Sequence, residues 1–183
     1  WNIAPNRDMT ITPTLMTKRG VNLTGQFRYL EPSYSGETYA SYMPGDNLRN
    51  RDRWGYSWQH RTTIDTPVGG LGLSLNLNRV SDGDYWRDFR LAPMALRQRL
   101  LPSTANLSWA KGDGVLSLNV LRYQVQQDVT SPIAPPYSMM PQLLYRYTPL
   151  DLPHGLDFSV VADTTRFELI RPITGQVGNN GQR

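Results

Sequence analysis

Residues 69–78 constrain the fold more than any other stretch: Leu71, Leu73, Leu75 and Leu77 alternate without a break with Gly72, Ser74, Asn76 and Asn78. Successive side chains of a strand point to opposite sides, so this segment is a strand with one leucine face and one small, polar face. Just upstream, Trp54, Tyr56 and Trp58 oppose Gly55, Ser57, Gln59 and Arg61 in the same rhythm, and Gly69-Gly70 supplies the turn between the two strands.

The pattern recurs along the chain. Met9, Ile11, Pro13 and Leu15 alternate with threonines, and Lys18-Arg19-Gly20 turns the chain. Pro5 and Pro13 each lack an N–H, and a sheet tolerates that mainly at edges and bulges, so this first strand pairs weakly. A second strand sets Val21, Leu23, Phe27 and Tyr29 against Asn22, Thr24, Gln26 and Arg28, and a third runs from Thr38 to Met43 and stops at Pro44-Gly45-Asp46. After the central hairpin, Leu101, Ala105, Leu107 and Trp109 form a sixth, and Lys111-Gly112-Asp113-Gly114 closes a tight hairpin to a seventh. That strand changes parity after Val120, which predicts a bulge there. Four prolines make 131–141 a loop, an eighth strand follows from Gln142 to Thr148, Asp151-Leu152-Pro153-His154-Gly155 turns the chain, and a ninth spans Leu156 to Leu169. Within the long segment 81–99, Pro93 is placed to start a short helix, with continued strand as the alternative.

About nine strands in strict succession make an all-β, antiparallel up-and-down meander. The connections after strands two, four, six and eight read as tight, and those after three, five, seven and nine as long. Outer-membrane barrels show this asymmetry between their two ends. Trp54, Trp58, Trp86, Trp109, Tyr145 and Tyr147 fall near expected strand ends, as an interfacial aromatic girdle requires. The expectation is a partial transmembrane β-barrel, with residues 1–183 one segment of a larger barrel domain. A hydrophobic content of 39% does not oppose this, because only alternate barrel residues need be apolar, and no apolar run approaches the length of a spanning helix. The opening WNIAPNRD has no initiator Met, basic region or apolar core, so a leader and further sequence are expected upstream.

Catalytic and cofactor chemistry finds little footing. Cysteine is absent and the two histidines, His60 and His154, lie far apart, so neither a thiolate nor a zinc site is expected. The net charge of +4 forms no stripe of the kind that binds nucleic acid. Asp82, Asp84 and Asp88 suggest a carboxylate pair or a calcium site, but their alternation with Arg79, Arg87 and Arg90 favours a salt-bridged loop. Arg49, Arg51, Arg87, Arg90, Arg97 and Arg99 are solvated loop charges or, less simply, contacts for phosphorylated lipid headgroups. Asn22-Leu23-Thr24 and Asn106-Leu107-Ser108 match glycosylation sequons but sit inside strands. No enzyme activity, cofactor or metal is expected.

Arg53-Trp54 with Trp58-Gln59-His60, then Val80-Ser81-Asp82 followed by Asp84-Tyr85-Trp86-Arg87-Asp88-Phe89, resembles the lipopolysaccharide-assembly outer-membrane family LptD. So does the opening Trp1 to Asp8 with Thr10-Ile11-Thr12-Pro13 and Arg19-Gly20. Val80, Ser81, Asp82, Tyr85, Trp86, Asp88 and Phe89 are the marker block. The resemblance implies a barrel of some two dozen strands in the outer membrane of a Gram-negative bacterium, preceded by a periplasmic domain and plugged by an LptE-like lipoprotein. It further implies lipopolysaccharide as cargo, periplasmic bridge proteins as donors, outer-membrane lipid as surroundings, and a lateral gate at the first strand, here Pro5, Ile11, Pro13 and Leu15. A porin-like passive channel and a soluble carbohydrate-binding β-sandwich are the alternative readings of the same strands.

Overall fold

The computed structural model describes residues 1–128, 130–149, 152, 156–169 and, for the backbone alone, 181–182. One antiparallel sheet contains every described strand, in the order of the sequence. Nine long strands make up most of it: β2 (Arg7–Met16), β3 (Gly20–Leu30), β4 (Tyr34–Asp46), β5 (Arg51–Thr66), β6 (Gly69–Val80), β7 (Leu100–Lys111), β8 (Gly114–Val125), β9 (Ser138–Tyr147) and β10 (Val160–Glu168). Two short strands, β1 (Asn2–Ala4) and β11 (Gly181–Gln182), flank them. A sandwich needs two stacked sheets. A single up-and-down sheet rules that alternative out and is the wall of a barrel.

Register turns the alternation of each strand into two continuous surfaces. Leu73 lies opposite Leu107, Leu107 opposite Leu118, and Leu118 opposite Leu143, so one leucine row crosses four strands. The adjoining row on the same face is Leu71, Trp109, Leu116 and Tyr145. Leu23, Tyr42 and Trp54 continue that face across β3, β4 and β5. The opposite face carries Ser74, Asn106, Asn119 and Gln142 in register. Their amides link Asn106 to Asn119 and Asn119 to Gln142, which reaches Asp163. Large apolar side chains stand exposed on the first face, including Ile11, Leu15, Leu23, Tyr42, Leu71 and Leu107. In water such a face is a liability, whereas next to hydrocarbon it is the stable solution. No described helix is long and apolar enough to cross a membrane.

Several expected boundaries shift, each for a local reason. β4 does not stop at Pro44-Gly45; it continues to Asp46 through a bulge, with Met43 opposite Arg53 and Asp46 opposite Arg51. Gly45 takes φ +55°, a conformation open to glycine, and its N–H donates to the Asp52 carboxylate, as does the Tyr42 hydroxyl. The connection after β4 is therefore only residues 47–50, shorter than expected, and the two long described loops are 81–99 and 126–137. The bulge at Val120 is present, as a register shift against β9 between Asn119 and Leu121. β9 begins at Ser138 and includes Pro141, which falls where the ladders to both β8 and β10 are interrupted, so its missing N–H removes no regular bond. β10 starts four residues later than expected, at Val160, and the expected turn at Asp151–Gly155, His154 included, lies outside the described residues apart from Leu152. Pro93 precedes a single 3-10 turn, η1 (Met94–Leu96), in place of a longer helix, and an unforeseen helical turn, α1 (Tyr85–Asp88), forms upstream.

Candidate functional site

The β6–β7 loop, residues 81–99, folds back onto the polar face of the sheet and is held there by buried charge. Arg53, on β5, has no exposure at all. Its guanidinium forks onto Asp82, with Nε to Oδ2 at 2.9 Å and Nη2 to Oδ1 at 2.8 Å, while Nη1 donates to Asp46 at 3.1 Å and Asp88 at 2.6 Å. Arg19, from the β2–β3 turn, bridges Asp46 at 2.6 Å and Asp88 at 2.8 Å. Arg49 joins Asp84 and Asp88, and Arg51 joins Asp82. Buried charges persist only where such pairing replaces hydration. Each ion here meets at least one opposite charge.

The salt-bridged loop expected from sequence therefore exists with different partners. Of Arg79, Arg87 and Arg90, the arginines expected to balance the aspartates, only Arg87 does so, pairing with Asp84 at 2.6 Å. The main cations come from strands and turns remote in sequence, which local alternation cannot reveal. The β4 bulge explains Asp46: one additional residue, with Pro44 and Gly45 facing only Asp52, re-aims the strand end so that its carboxylate meets Arg53 and Arg19, and its Oδ1 accepts the Leu48 N–H. Burial works against ionisation of Asp82 and Asp88. The Arg53 hydrogen bonds outweigh it, helped at Asp82 by Ser81 and at Asp88 by the charges of Arg19 and Arg49, so both carboxyls fall below the ordinary aspartate range.

Six of the seven marker residues converge on this cluster. Val80 is 2% exposed, and its N–H and C=O are both taken by the Gln124 carboxamide. Ser81 donates to Asp82 at 2.6 Å. Tyr85 is fully buried, shares a 2.6 Å hydrogen bond with Ser41, and stacks on Phe89 with centroids 4.4 Å apart. Its ring fits because residue 55 is glycine; a Cβ there would sit 2.7 Å from Cζ. Burial drives the Tyr85 phenol up, out of any physiological titration. Phe89 lies under Arg53, 4.8 Å from its ring centroid to the guanidinium carbon. Met43, Val80, Tyr85, Phe89, Ala92, Leu96 and Leu101 form the apolar core around it. Trp86 is the exception: it lies outside the cluster in α1, with Arg99 over its ring, and not at a strand end as expected. Trp58 is also displaced from the girdle, at mid-strand and hydrogen-bonded to Tyr29.

Sequence reading missed the other side of the clamp. Gln126 is fully buried; its Nε2 donates to the carbonyls of Leu96 and Gln98, and its Oε1 accepts the Trp86 N–H, each at 2.8 Å. The one available signal was parity, which puts Arg53 on the small, polar face of an otherwise aromatic strand.

The expected gate residues separate. Pro5 sits in the two-residue turn between β1 and β2, not on a long strand. Ile11, Pro13 and Leu15 lie on β2, with Ile11 and Leu15 exposed. β1 covers only the start of β2, pairing at Arg7 and Asp8, while the Met9 N–H donates to Trp1 and the Trp1 amine to Met9. Backbone groups alternate in direction along a strand, so the amide positions of Ile11, Pro13 and Leu15 also point away from β3. The proline thus removes a donor from the outer edge and leaves the ten-residue ladder to β3 intact.

A meandering sheet with a lipid-type apolar face, a polar opposite face and a long loop packed onto that inner side defines a segment of a transmembrane β-barrel. The chain matches the family model LptD, LPS transport system D, over residues 51–178, and belongs to that family. It is 57% identical to the LPS-assembly protein LptD of Acidovorax sp. (strain JS42) and 54% identical to that of Paracidovorax citrulli, in both cases over 96% of this chain and 22% of the relative. The corresponding protein of Polaromonas sp. is 50% identical over 98% of this chain and 23% of its own length. The chain thus spans less than a quarter of the relatives it matches.

Proposed function

We propose that this segment forms part of an outer-membrane translocon that inserts lipopolysaccharide into the outer leaflet, with β2 as one side of a lateral gate. The observation that carries the reading is the outer edge of β2, where β1 stops after Arg7 and Asp8 and Pro13 withholds a donor farther along. A seam with few ladder bonds opens at modest cost, letting acyl chains leave sideways into lipid while sugars and phosphates stay in a hydrated lumen. Ile11 and Leu15 are the apolar flank of that exit; Pro5 shapes the turn that starts the strand. An LptE-like lipoprotein plugging the lumen and periplasmic bridge proteins acting through another domain are the partners this role requires. The Gram-negative outer membrane is its location.

Replacing Pro13 with valine in the full-length protein restores an edge donor. The expected result is slower appearance of lipopolysaccharide at the cell surface with normal barrel folding. Undiminished delivery, or a conductance that does not depend on lipopolysaccharide, would favour a passive channel.

A further inference from the structure

A groove of about 220 Å³ runs between the docked β6–β7 loop and the polar face of β2 and β3. Its floor includes Thr10, Thr12, Thr14 and Asn22; Phe89 and Leu91 overhang it. No residue lining it is charged. That separates it from the neighbouring loop cluster, where arginine meets aspartate throughout. Asn22 is only 5% exposed, and its carboxamide oxygen is buried without a hydrogen-bond partner. A buried acceptor left unpaired is costly and uncommon, and its residue lines the groove, from which a donor could pair with the oxygen once the carboxamide turns. Rotation of the carboxamide about its terminal bond presents that oxygen to an occupant.

Hydroxyls, the two carboxamides of Asn22 and Gln26 and an aromatic overhang, without charge, form the chemistry that receives a neutral sugar: its hydroxyls pair with threonine and asparagine and its C–H face lies against the apolar side. Phosphate or carboxylate would find no cation. The volume is below that of ordinary small-molecule pockets, about 300 Å³ and upward, so it suits a single ring and not a whole oligosaccharide. We propose that this groove is a subsite for an uncharged sugar unit of the cargo as it passes the inner side of β2; the assignment rests on the lipopolysaccharide reading above. Leu91, 85% exposed, then acts as a positioning residue, holding the ring against the threonine floor.

The test uses full-length protein with a photo-crosslinking amino acid at Leu91, supplied with lipopolysaccharide carrying neutral core sugars or with the phosphorylated, acylated anchor alone. Adducts should form with the first and be several-fold fewer with the second. Asn22→Ala should reduce the first about three- to tenfold, as expected for loss of one neutral hydrogen bond, and Thr12→Val should do likewise. Equal adducts with both cargoes, or adducts insensitive to both substitutions, would overturn the subsite. If the protein delivers lipopolysaccharide to the surface while Leu91 forms no adduct, the subsite fails and the translocon reading stands. If delivery itself is absent, that reading fails as well.

Discussion

Arg53→Ala is the most informative perturbation of the docked loop. The substitution removes a fully buried cation from three carboxylates. Two of them keep other partners, since Asp46 retains Arg19 and Asp88 retains Arg19 and Arg49. Asp82 keeps its Ser81 and Asp84 N–H hydrogen bonds, but its one remaining cation is Arg51, at 3.2 Å and half exposed. Removing one member of a buried pair costs about 3–5 kcal/mol, mainly because the other charge stays buried and unpaired. At about 1.4 kcal/mol per tenfold, loop docking should weaken by roughly 10² to 10⁴. Hydrogen exchange reads this at two loop amides with defined acceptors, Trp86 on Gln126 and Phe89 on Tyr85. Both should lose protection in the full-length protein while the strands keep theirs. Arg53→Met combined with Asp82→Asn and Asp88→Asn removes the charges together and should recover most of the protection, because a neutral replacement avoids the orphaned ions. Unchanged protection in Arg53→Ala would show that apolar packing alone docks the loop. A combined variant as exposed as the single one would show that charge pairing is not what Arg53 contributes.

The depressed carboxyls set a pH window. Asp82 and Asp88 are held below their ordinary value, so their contribution is complete above about pH 4 and is lost only as the pH falls through the lowered folded values. The anisotropy of a fluorophore on the loop should therefore stay flat from about pH 8 to pH 5 and drop only in stronger acid; a transition near neutrality would contradict the assignment. Gly55→Val places atoms inside the Tyr85 ring and should displace the loop at a cost of about 1–3 kcal/mol, measured by the same exchange experiment. On the outer face, Leu73→Arg should destabilise the folded barrel by about 2–4 kcal/mol if it lies near the bilayer midplane, as read from urea unfolding in lipid vesicles, whereas Ser74→Arg on the polar face should be nearly neutral.

The strands were legible because their signal is local. Period-two alternation at Leu71–Leu77 or Val21–Tyr29 needs no knowledge of a partner, and each strand so marked is present. Parity even located the Val120 bulge. Proline and glycine misled in both directions. Pro44-Gly45 resembled a stop but is a bulge within β4, and Pro141 resembled loop but occupies an irregular point of β9. A one-dimensional pattern cannot distinguish a broken strand from a bulged one, because both need a missing donor or a positive φ. The marker block was visible as an unusual composition, yet its role was not, since its partners Arg53, Arg49 and Arg19 lie 29 to 69 residues earlier in number and meet it only after the sheet forms.

That geometry also joins two features that were separate in the sequence. Arg19 sits at the turn of the β2–β3 hairpin and contacts both Asp46 of β4 and Asp88 of the loop. The Asn47 N–H donates to the Arg19 carbonyl, so the turn is tied by backbone as well as charge. Along the outer side of the same hairpin, the edge of β2 carries Pro13 and is covered only at its beginning. One end of the edge hairpin is therefore anchored to the loop, while the outer backbone edge beyond Met9 has no paired strand among the described residues. Arg19 ties the turn end of β2 to the loop, and the same loop overhangs the groove beside that strand. The lateral movement proposed for this edge would therefore be coupled to access to the groove through one set of ion pairs, with Arg53 at their centre.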